Sequence, residues 1–281
     1  MNRALASIGV AALAAGCQGN LDIQQSTQTA TVNDAVSAIE IDVDSGSVDL
    51  RPREDGRDAV ALRVTASWTT RQPTYDATID GDTLVVTGRC RHQRACSTDF
   101  VIRVPPDLPS TVHTGAGDVT VIDMAADADL STDAGGIEAT RVQGQLTVDD
   151  AAGDVLITDG HGDVEANTDA GTIEVHGRVA DTMDLTNGAG AILGYHLHAA
   201  DVTAHSDAGG VDLTLDEAFD RVDASSNAGA VSVRVPAGAY RLVLDTGIGS
   251  ITVGDGITDD PHASSTVRVR SDVGSIQVLG H

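Results

Sequence analysis

A short motif built around a glycine recurs nine times between residues 110 and 279, and it constrains the fold more than any other feature. A valine or isoleucine follows each glycine by two positions. The intervals between the glycines are 18 to 20 residues, except for a last interval of 25. Self-similarity at a short period is typical of architectures in which each repeat stacks on its neighbour. The nine glycines are Gly117, Gly135, Gly153, Gly171, Gly190, Gly209, Gly229, Gly249 and Gly274.

Apolar and polar residues alternate on both sides of each glycine. The aliphatic positions lie five before the glycine and two and four after it, as at Val112, Val119 and Val121. Alternation predicts a half-buried strand on each side, and no helical periodicity competes with it. A rung this short cannot bury its apolar side alone, so successive rungs must stack as parallel strands about 4.8 Å apart. We therefore predict an all-β parallel β-solenoid of 18–20-residue rungs, in chain order.

A column of polar side chains is predicted inside this solenoid. The position three before each glycine is polar in every copy, although its parity places it among inward-facing residues. A buried hydroxyl needs a hydrogen-bond partner, which the neighbouring rung would supply. The column comprises Thr114, Thr132, Asp150, Thr168, Asn187, Ser206, Ser226, Thr246 and Ser271.

Asp150 is the odd member of the column, because it is a carboxylate among hydroxyls and one amide. It must be exposed, protonated, or hydrogen-bonded to Thr132 and Thr168. In the bonded case, the substitution Thr168→Val should destabilise the fold by about 1–3 kcal/mol, because it leaves a buried group unpaired.

The first residues are typical of an export signal. A basic leader precedes the apolar run 5–15, which is too short to span a bilayer. Residues 13–17 resemble the bacterial lipoprotein signal, although Ala14 stands where that signal usually has leucine. The resemblance implies a signal peptide over 1–16 and lipid attachment at Cys17. Because Gln18 follows the cysteine, it also implies sorting to the outer membrane. The alternative is an ordinary cleaved signal with an incidental cysteine.

The remaining chain divides into a tether and one solenoid. Residues 17–36 are polar, with few large apolar groups, and are predicted to form a flexible tether. The solenoid is predicted to span 37–281, with irregular rungs over 37–109 that cap its open end and regular rungs over 110–281. Two cysteines lie in the cap and should form a disulfide in an oxidising compartment; the alternative is a redox or metal pair. They are Cys90 and Cys96.

The layout of residues 37–279 resembles the bacterial putative-adhesin family of unknown function, also called β-strand repeat proteins. Its features appear here as Val48 after Ser45-Gly46-Ser47, then Val104-Pro105, then the copy from Thr114 to Val119. The resemblance implies a β-strand repeat architecture. It implies no catalytic or ligand residues, because the family has no agreed ones.

Charge narrows the range of partners. The net charge is −25, and all 17 basic residues are arginine. A strongly acidic surface argues against nucleic acid or anionic lipid as a direct partner, and it favours solubility. Four arginines gather near the last rungs, where we expect them to discourage end-to-end stacking. They are Arg234, Arg241, Arg268 and Arg270.

The sequence does not favour a metal site. Glycine-aspartate pairs are typical of calcium-binding repeats, but the required nonapeptide frame never repeats here, so solvated turn aspartates are the preferred interpretation. Histidines that alternate on an outward strand are more often solvated than metal-bound. The aspartates are Asp118, Asp154 and Asp163, and the histidines are His196, His198 and His205.

Catalysis is also disfavoured. Carbohydrate-active enzymes on β-solenoids need carboxylates clustered with a basic group in a groove, whereas the acidic residues here are spread over all rungs. We therefore expect no catalytic residue, metal or cofactor. The sequence favours a cell-envelope lipoprotein that acts as a structural or adhesin-like interaction module. Its partners would be the membrane, through the lipid, and an unknown protein or glycan. Alternatives are a carbohydrate-active enzyme and a periplasmic accessory in envelope sensing.

Overall fold

The computed structural model describes residues 23–91 and 95–281, together with the backbone of residues 9–11. Within these residues no helix is long and apolar enough to cross a membrane. The described residues form 26 strands. They are β1 (Gly9–Ala11), β2 (Gln24–Val32), β3 (Ala38–Val43), β4 (Val48–Pro52), β5 (Val60–Trp68), β6 (Thr74–Asp80), β7 (Thr83–Arg89), β8 (Cys96–Val104), β9 (Ser110–Thr114), β10 (Val119–Ile122), β11 (Ala128–Thr132), β12 (Ile137–Thr140), β13 (Leu146–Asp150), β14 (Val155–Thr158), β15 (Val164–Ala170), β16 (Ile173–His176), β17 (Val179–Ala189), β18 (Ile192–Ala208), β19 (Val211–Leu215), β20 (Arg221–Ala228), β21 (Val231–Val235), β22 (Gly238–Ile248), β23 (Ile251–Val253), β24 (Ile257–Asp259), β25 (Thr266–Val273) and β26 (Ile276–Gly280).

The regular rungs stack as two parallel sheets, one made by the strands before each glycine and the other by the strands after it. In the first sheet, β11 pairs in register with β9 and β13, so that Leu130 lies between Val112 and Val148. In the second sheet, β12 pairs in the same way with β10 and β14. The prediction of an all-β parallel solenoid is confirmed.

Aliphatic side chains from the two sheets fill the interior. Leu130, Val148 and Ile157 are completely buried, and the equivalent positions of most other rungs are buried to the same degree. Complete burial of one such side chain contributes about 1.5–3 kcal/mol to stability. The continuous columns therefore supply the stability that a single rung lacks.

The glycines stack so closely that no side chain fits among them. A Cβ atom at Gly171 would lie 1.7 Å from the carbonyl oxygen of Gly153, and one at Gly153 would lie 1.8 Å from that of Gly135. Gly171 also has a φ of +144°, which other residues rarely adopt. This contact explains why the motif repeats its glycine.

The rungs do not all stack in chain order, and this corrects the prediction. The last strands of the chain, β25 and β26, are inserted between β20/β21 and β22/β23. Gly274 therefore packs on Gly229, and Gly249 packs on Gly274. The rung formed by β22 and β23 is consequently the outermost rung at this end.

The opposite end is built from residues 24–104. The rung formed by β7 and β8 lies outside the rung formed by β3 and β4, which in turn pairs with β9 and β10. Antiparallel strands then cover this end, because β6 pairs with β7 while β5 lies between β8 and β2. A disulfide between Cys90 and Cys96 joins β7 to β8, where the other rungs have a glycine bend.

The predicted tether over 17–36 is wrong for residues 24–32, which form β2. This strand pairs along its full length with β5, and alternate side chains face the core, ending at the buried Val32. The free edge of β5 supplies hydrogen-bond partners, which a purely compositional argument does not consider. The predicted signal peptide lies outside the described residues apart from the backbone of β1, and Cys17 lies outside them entirely.

Candidate interaction surfaces and buried polar sites

The predicted polar column exists, and its partners are glycine carbonyls. Eight of its nine members are buried, Thr246 being half-buried. Most of them donate a hydrogen bond to the carbonyl oxygen of the bend glycine in the adjacent rung. Ser226 Oγ lies 2.8 Å from Gly209 O, and Asn187 Nδ2 lies 2.8 Å from Gly171 O. The column therefore ties neighbouring bends together.

Asp150 breaks this pattern. Its carboxylate accepts a hydrogen bond from the Ala152 amide at 3.0 Å, but its second oxygen is buried without a partner, as is the hydroxyl of Thr168. Burial raises the pKa of Asp150 to about 6 against the opposing effect of that amide, and the carboxylates of Asp154 and Asp169 reinforce the rise. Of the three alternatives predicted for Asp150, exposure and bonding to threonines are wrong. The raised pKa extends the protonated form of Asp150 up to about pH 6.

The turn aspartates have structural partners. Asp118, Asp154 and Asp163 each accept a hydrogen bond from a backbone amide of the next rung, at 2.8–2.9 Å. Across residues 23–91 and 95–281, no three His, Cys, Asp or Glu side chains are arranged to hold a metal. These aspartates thus stabilise turns between adjacent rungs.

The three histidines considered for a metal site have separate partners. His196 lies at a bulge in β18 and bonds Asp216 at 2.7 Å. His198 lies 3.4 Å from Glu217. His205 lies seven residues farther along β18, where its ring bonds Ser225 of β20 at 2.9 Å. The fold does not bring them together.

The sequence analysis missed Arg178, which is completely buried. Its guanidinium donates hydrogen bonds to backbone carbonyls of two earlier rungs, including those of Val142 at 2.5 Å, Gly144 at 2.8 Å and His161 at 2.8 Å. Burial lowers the pKa of Arg178 to about 10. The Arg178 side chain therefore links the bends of neighbouring rungs on the side of the rod opposite the glycine column. An isolated arginine in a repeat carries no signal that would reveal this role.

Three of the four arginines near the last rungs do not lie at the edge, contrary to the prediction. Arg268 and Arg270 lie on the inserted strand β25. Arg234 lies on β21 and donates a hydrogen bond to Asp212 on β19 at 3.2 Å. Only Arg241 belongs to the outermost rung. Arg268 and Arg270 lie away from the edge because β25 is inserted between β20 and β22.

An apolar cleft of about 130 Å³ lies at the covered end, between β5 and β6. It is lined mainly by Leu62, Val64, Tyr75 and Phe100, and Asp76 is the one carboxylate on its wall. A single carboxylate without a basic neighbour does not form an acid–base pair.

The other end of the rod is open. In the described part of the chain, residues 241–248 of β22 pair only with β25, and β23 pairs only with β26. Ile251 and Val253 occupy core positions yet are 44% and 42% exposed, whereas Ile276 and Val278 beneath them are completely buried. This end rung, residues 241–253, presents two unpaired strand edges and an uncovered core, which are features of interaction surfaces.

The chain is similar to solved structures and to one protein family. No curated protein matches the chain. A crystal structure of a putative adhesin from Parabacteroides distasonis is 12% identical, has a TM-score of 0.53, and aligns over 90% of this chain and 97% of its own. A putative adhesin from Bacteroides fragilis is 18% identical, has a TM-score of 0.45, and aligns over 92% of this chain and 97% of its own. The family model described as Toastrack DUF4097 matches residues 36–278. The chain therefore belongs to the Toastrack DUF4097 family, which confirms the family resemblance seen in the sequence.

Proposed function

We propose that this chain is an envelope lipoprotein, anchored through Cys17, that acts as an adhesin-like interaction module and not as an enzyme. The observation that carries the proposal is the open end rung. Antiparallel strands cover one end of the rod, whereas apolar core positions are exposed at the other end. An exposed apolar end of this kind is suited to docking a partner. The Parabacteroides distasonis structure, which shares the fold, is called a putative adhesin.

The distribution of titratable groups supports a non-catalytic role. Catalytic acids and bases have perturbed pKa values and lie together in a cleft. Here the carboxyl group with a pKa raised toward neutrality, Asp150, lies inside the polar column. The apolar cleft at the covered end has Asp76 alone.

The anchoring part of the proposal is tested by detergent partitioning. The protein should enter the detergent phase, and Cys17→Ser should remain in the aqueous phase or stay unprocessed. The several acyl chains of a bacterial lipoprotein anchor stably, whereas one chain binds only marginally. Equal partitioning of the two proteins would contradict anchoring at this residue.

The interaction part is tested by incubating the exported protein with isolated envelope glycans and envelope proteins. We expect retention on one of these fractions without release of sugar fragments. Release of reducing ends or unsaturated sugars from a polysaccharide panel would show an enzyme instead. Heat-unfolded protein serves as the control for nonspecific retention of an acidic chain.

A further inference from the structure

The backbone groups at the end rung have a defined direction. The amide of Arg241 bonds Ser265 O at 2.9 Å on the β25 side, whereas the amide of Leu242 points away from β25, to the Asp259 carboxylate at 3.1 Å. Backbone groups alternate along a strand, so those of Leu244 and Thr246 also point to the open side. These groups can accept a new strand beside residues 244–246, whereas the carbonyl of Ile248 bonds the Gly274 amide of the inner rung.

The second strand of the end rung shows the same property. The amide of Gly254 bonds Val278 O at 2.8 Å, which places residues 252 and 254 toward β26. The backbone groups of Ile251 and Val253 therefore point to the open side. Both sheets of the rod thus end in edges that can be extended at the same end.

We propose that the end rung binds the end rung of a second copy of this chain, head to head, so that both sheets continue antiparallel across a two-fold axis. This inference rests on the proposed interaction module and names its partner. The axis passes near Thr246 and Thr252. These residues lie three positions before and after Gly249, so they face each other across the rung and one axis can serve both edges.

The register given by this axis is self-complementary. Thr246 lies opposite Thr246 of the second copy on the first sheet. On the second sheet Ile251 lies opposite Val253 of the second copy, so apolar groups meet there. Asp245 lies opposite Gly247 of the second copy. A shift of the axis by one residue would place two Asp245 carboxylates opposite each other, which is unfavourable.

A second copy fits this end better than a foreign strand. A single extended peptide could cover one edge only, whereas the end of a second copy offers two strands at the same separation and covers both halves of the open core. An isologous two-fold contact also closes on itself, unlike head-to-tail stacking. Head-to-tail stacking is disfavoured because antiparallel strands cover the other end.

Cysteine cross-linking tests the register directly. Thr252 is an exposed residue at a non-hydrogen-bonded position of the proposed pair, where Cα atoms are about 4.5 Å apart, within disulfide range. In the exported full chain carrying Cys17→Ser, the variant Thr252→Cys should form a covalent dimer under mild oxidation. Thr120→Cys, on the outward face of β10 in the body of the rod, is the matched control and should remain monomeric. Failure of Thr252→Cys to cross-link, or equal cross-linking of the control, would overturn the proposal.

Sedimentation velocity supplies an independent reading. We expect the Cys17→Ser chain to dimerise, and Ile251→Lys to weaken the dimer at least tenfold, because an inward charge guards a strand edge. Thr120→Lys should leave the dimer unchanged, and melting curves check that each variant is folded. If the chain is monomeric but still binds an envelope fraction, the proposed dimer is refuted and the proposed interaction module stands. A dimer that cleaves polysaccharide would refute the module.

Discussion

Asp150 provides the sharpest test of the polar column. Asn187 shows what an amide does in that column, because its Nδ2 donates to Gly171 O at 2.8 Å. The substitution Asp150→Asn should therefore supply the donor that the ionised carboxylate lacks. It should also remove a buried charge, because the pKa of Asp150 is raised by burial from 3.8 to about 6.

The sign and size of the effect follow from this shift. A raised pKa stabilises the folded state fully below the unfolded value, near pH 4, and this contribution is lost as the pH rises through about 6. Between pH 5 and 8 a shift of this size corresponds to about 1.4 kcal/mol. Solvent reaches the groove beside the column, which is lined by Asp133, Asp149 and Asp169, so we expect about 1 kcal/mol.

Urea unfolding of both proteins at pH 5 and pH 8 measures this effect. Asp150→Asn should be more stable than the parent at pH 8, and the advantage should shrink by about 1 kcal/mol at pH 5. The control is Asp149→Asn, which removes the same charge from an exposed neighbour that bonds Asn167. A pH-independent difference between Asp150→Asn and the parent, or an equal pH dependence for the control, would refute the reasoning.

Three further predictions concern the same rod. Gly171→Ala should lower the free energy of unfolding in urea by more than about 4 kcal/mol, because the added Cβ would meet a backbone oxygen at 1.7 Å. Gly56→Ala is the control, because no atom lies within 4 Å of its Cβ. It should cost about 1 kcal/mol, since only the φ of +63° is unfavourable for alanine. Ser226→Ala should cost about 1–3 kcal/mol because it leaves a carbonyl unpaired. Thr168→Val should be nearly neutral, because the Thr168 hydroxyl has no partner to lose; the cost of about 1–3 kcal/mol applied only if Asp150 bonded the threonines. Equal melting midpoints for these two variants would contradict the assignment of the column. Arg178→Met should lower the melting midpoint and cost at least about 3 kcal/mol, and an unchanged midpoint would show that the buried guanidinium is dispensable.

The structure of a single rung was predictable because every rung repeats the same alternation of buried and exposed residues. Alternation placed Val112 and Val119 inside, and the parity of Thr114 placed a polar group beside them. Stacking then dictated parallel, in-register pairing. The recurrence of the glycine between two strands was visible in the sequence, but the reason it cannot change, a contact between stacked backbones, needs coordinates.

The order of the rungs at the end of the rod was not predictable, because it depends on which distant strands pair with each other. The 25-residue interval between Gly249 and Gly274 was the one trace of the inserted rung. It was equally consistent with a longer loop between sequential rungs. The strand over 24–32 was missed because its polar composition resembles that of a tether, and only the free edge of β5 makes it a strand.

The open end exists only if β22 and β23 form the outermost rung, outside β25 and β26. In the structure, Ser225 neighbours Arg270, and Arg270 neighbours Asp245. Disulfide mapping of two double variants tests this order. Ser225→Cys with Arg270→Cys should cross-link within one chain, because adjacent strands are about 4.8 Å apart, whereas Ser225→Cys with Asp245→Cys should not, at roughly 10 Å. Cross-linking of the second pair without the first would show that the rungs stack in chain order, and the open end rung described here would not exist.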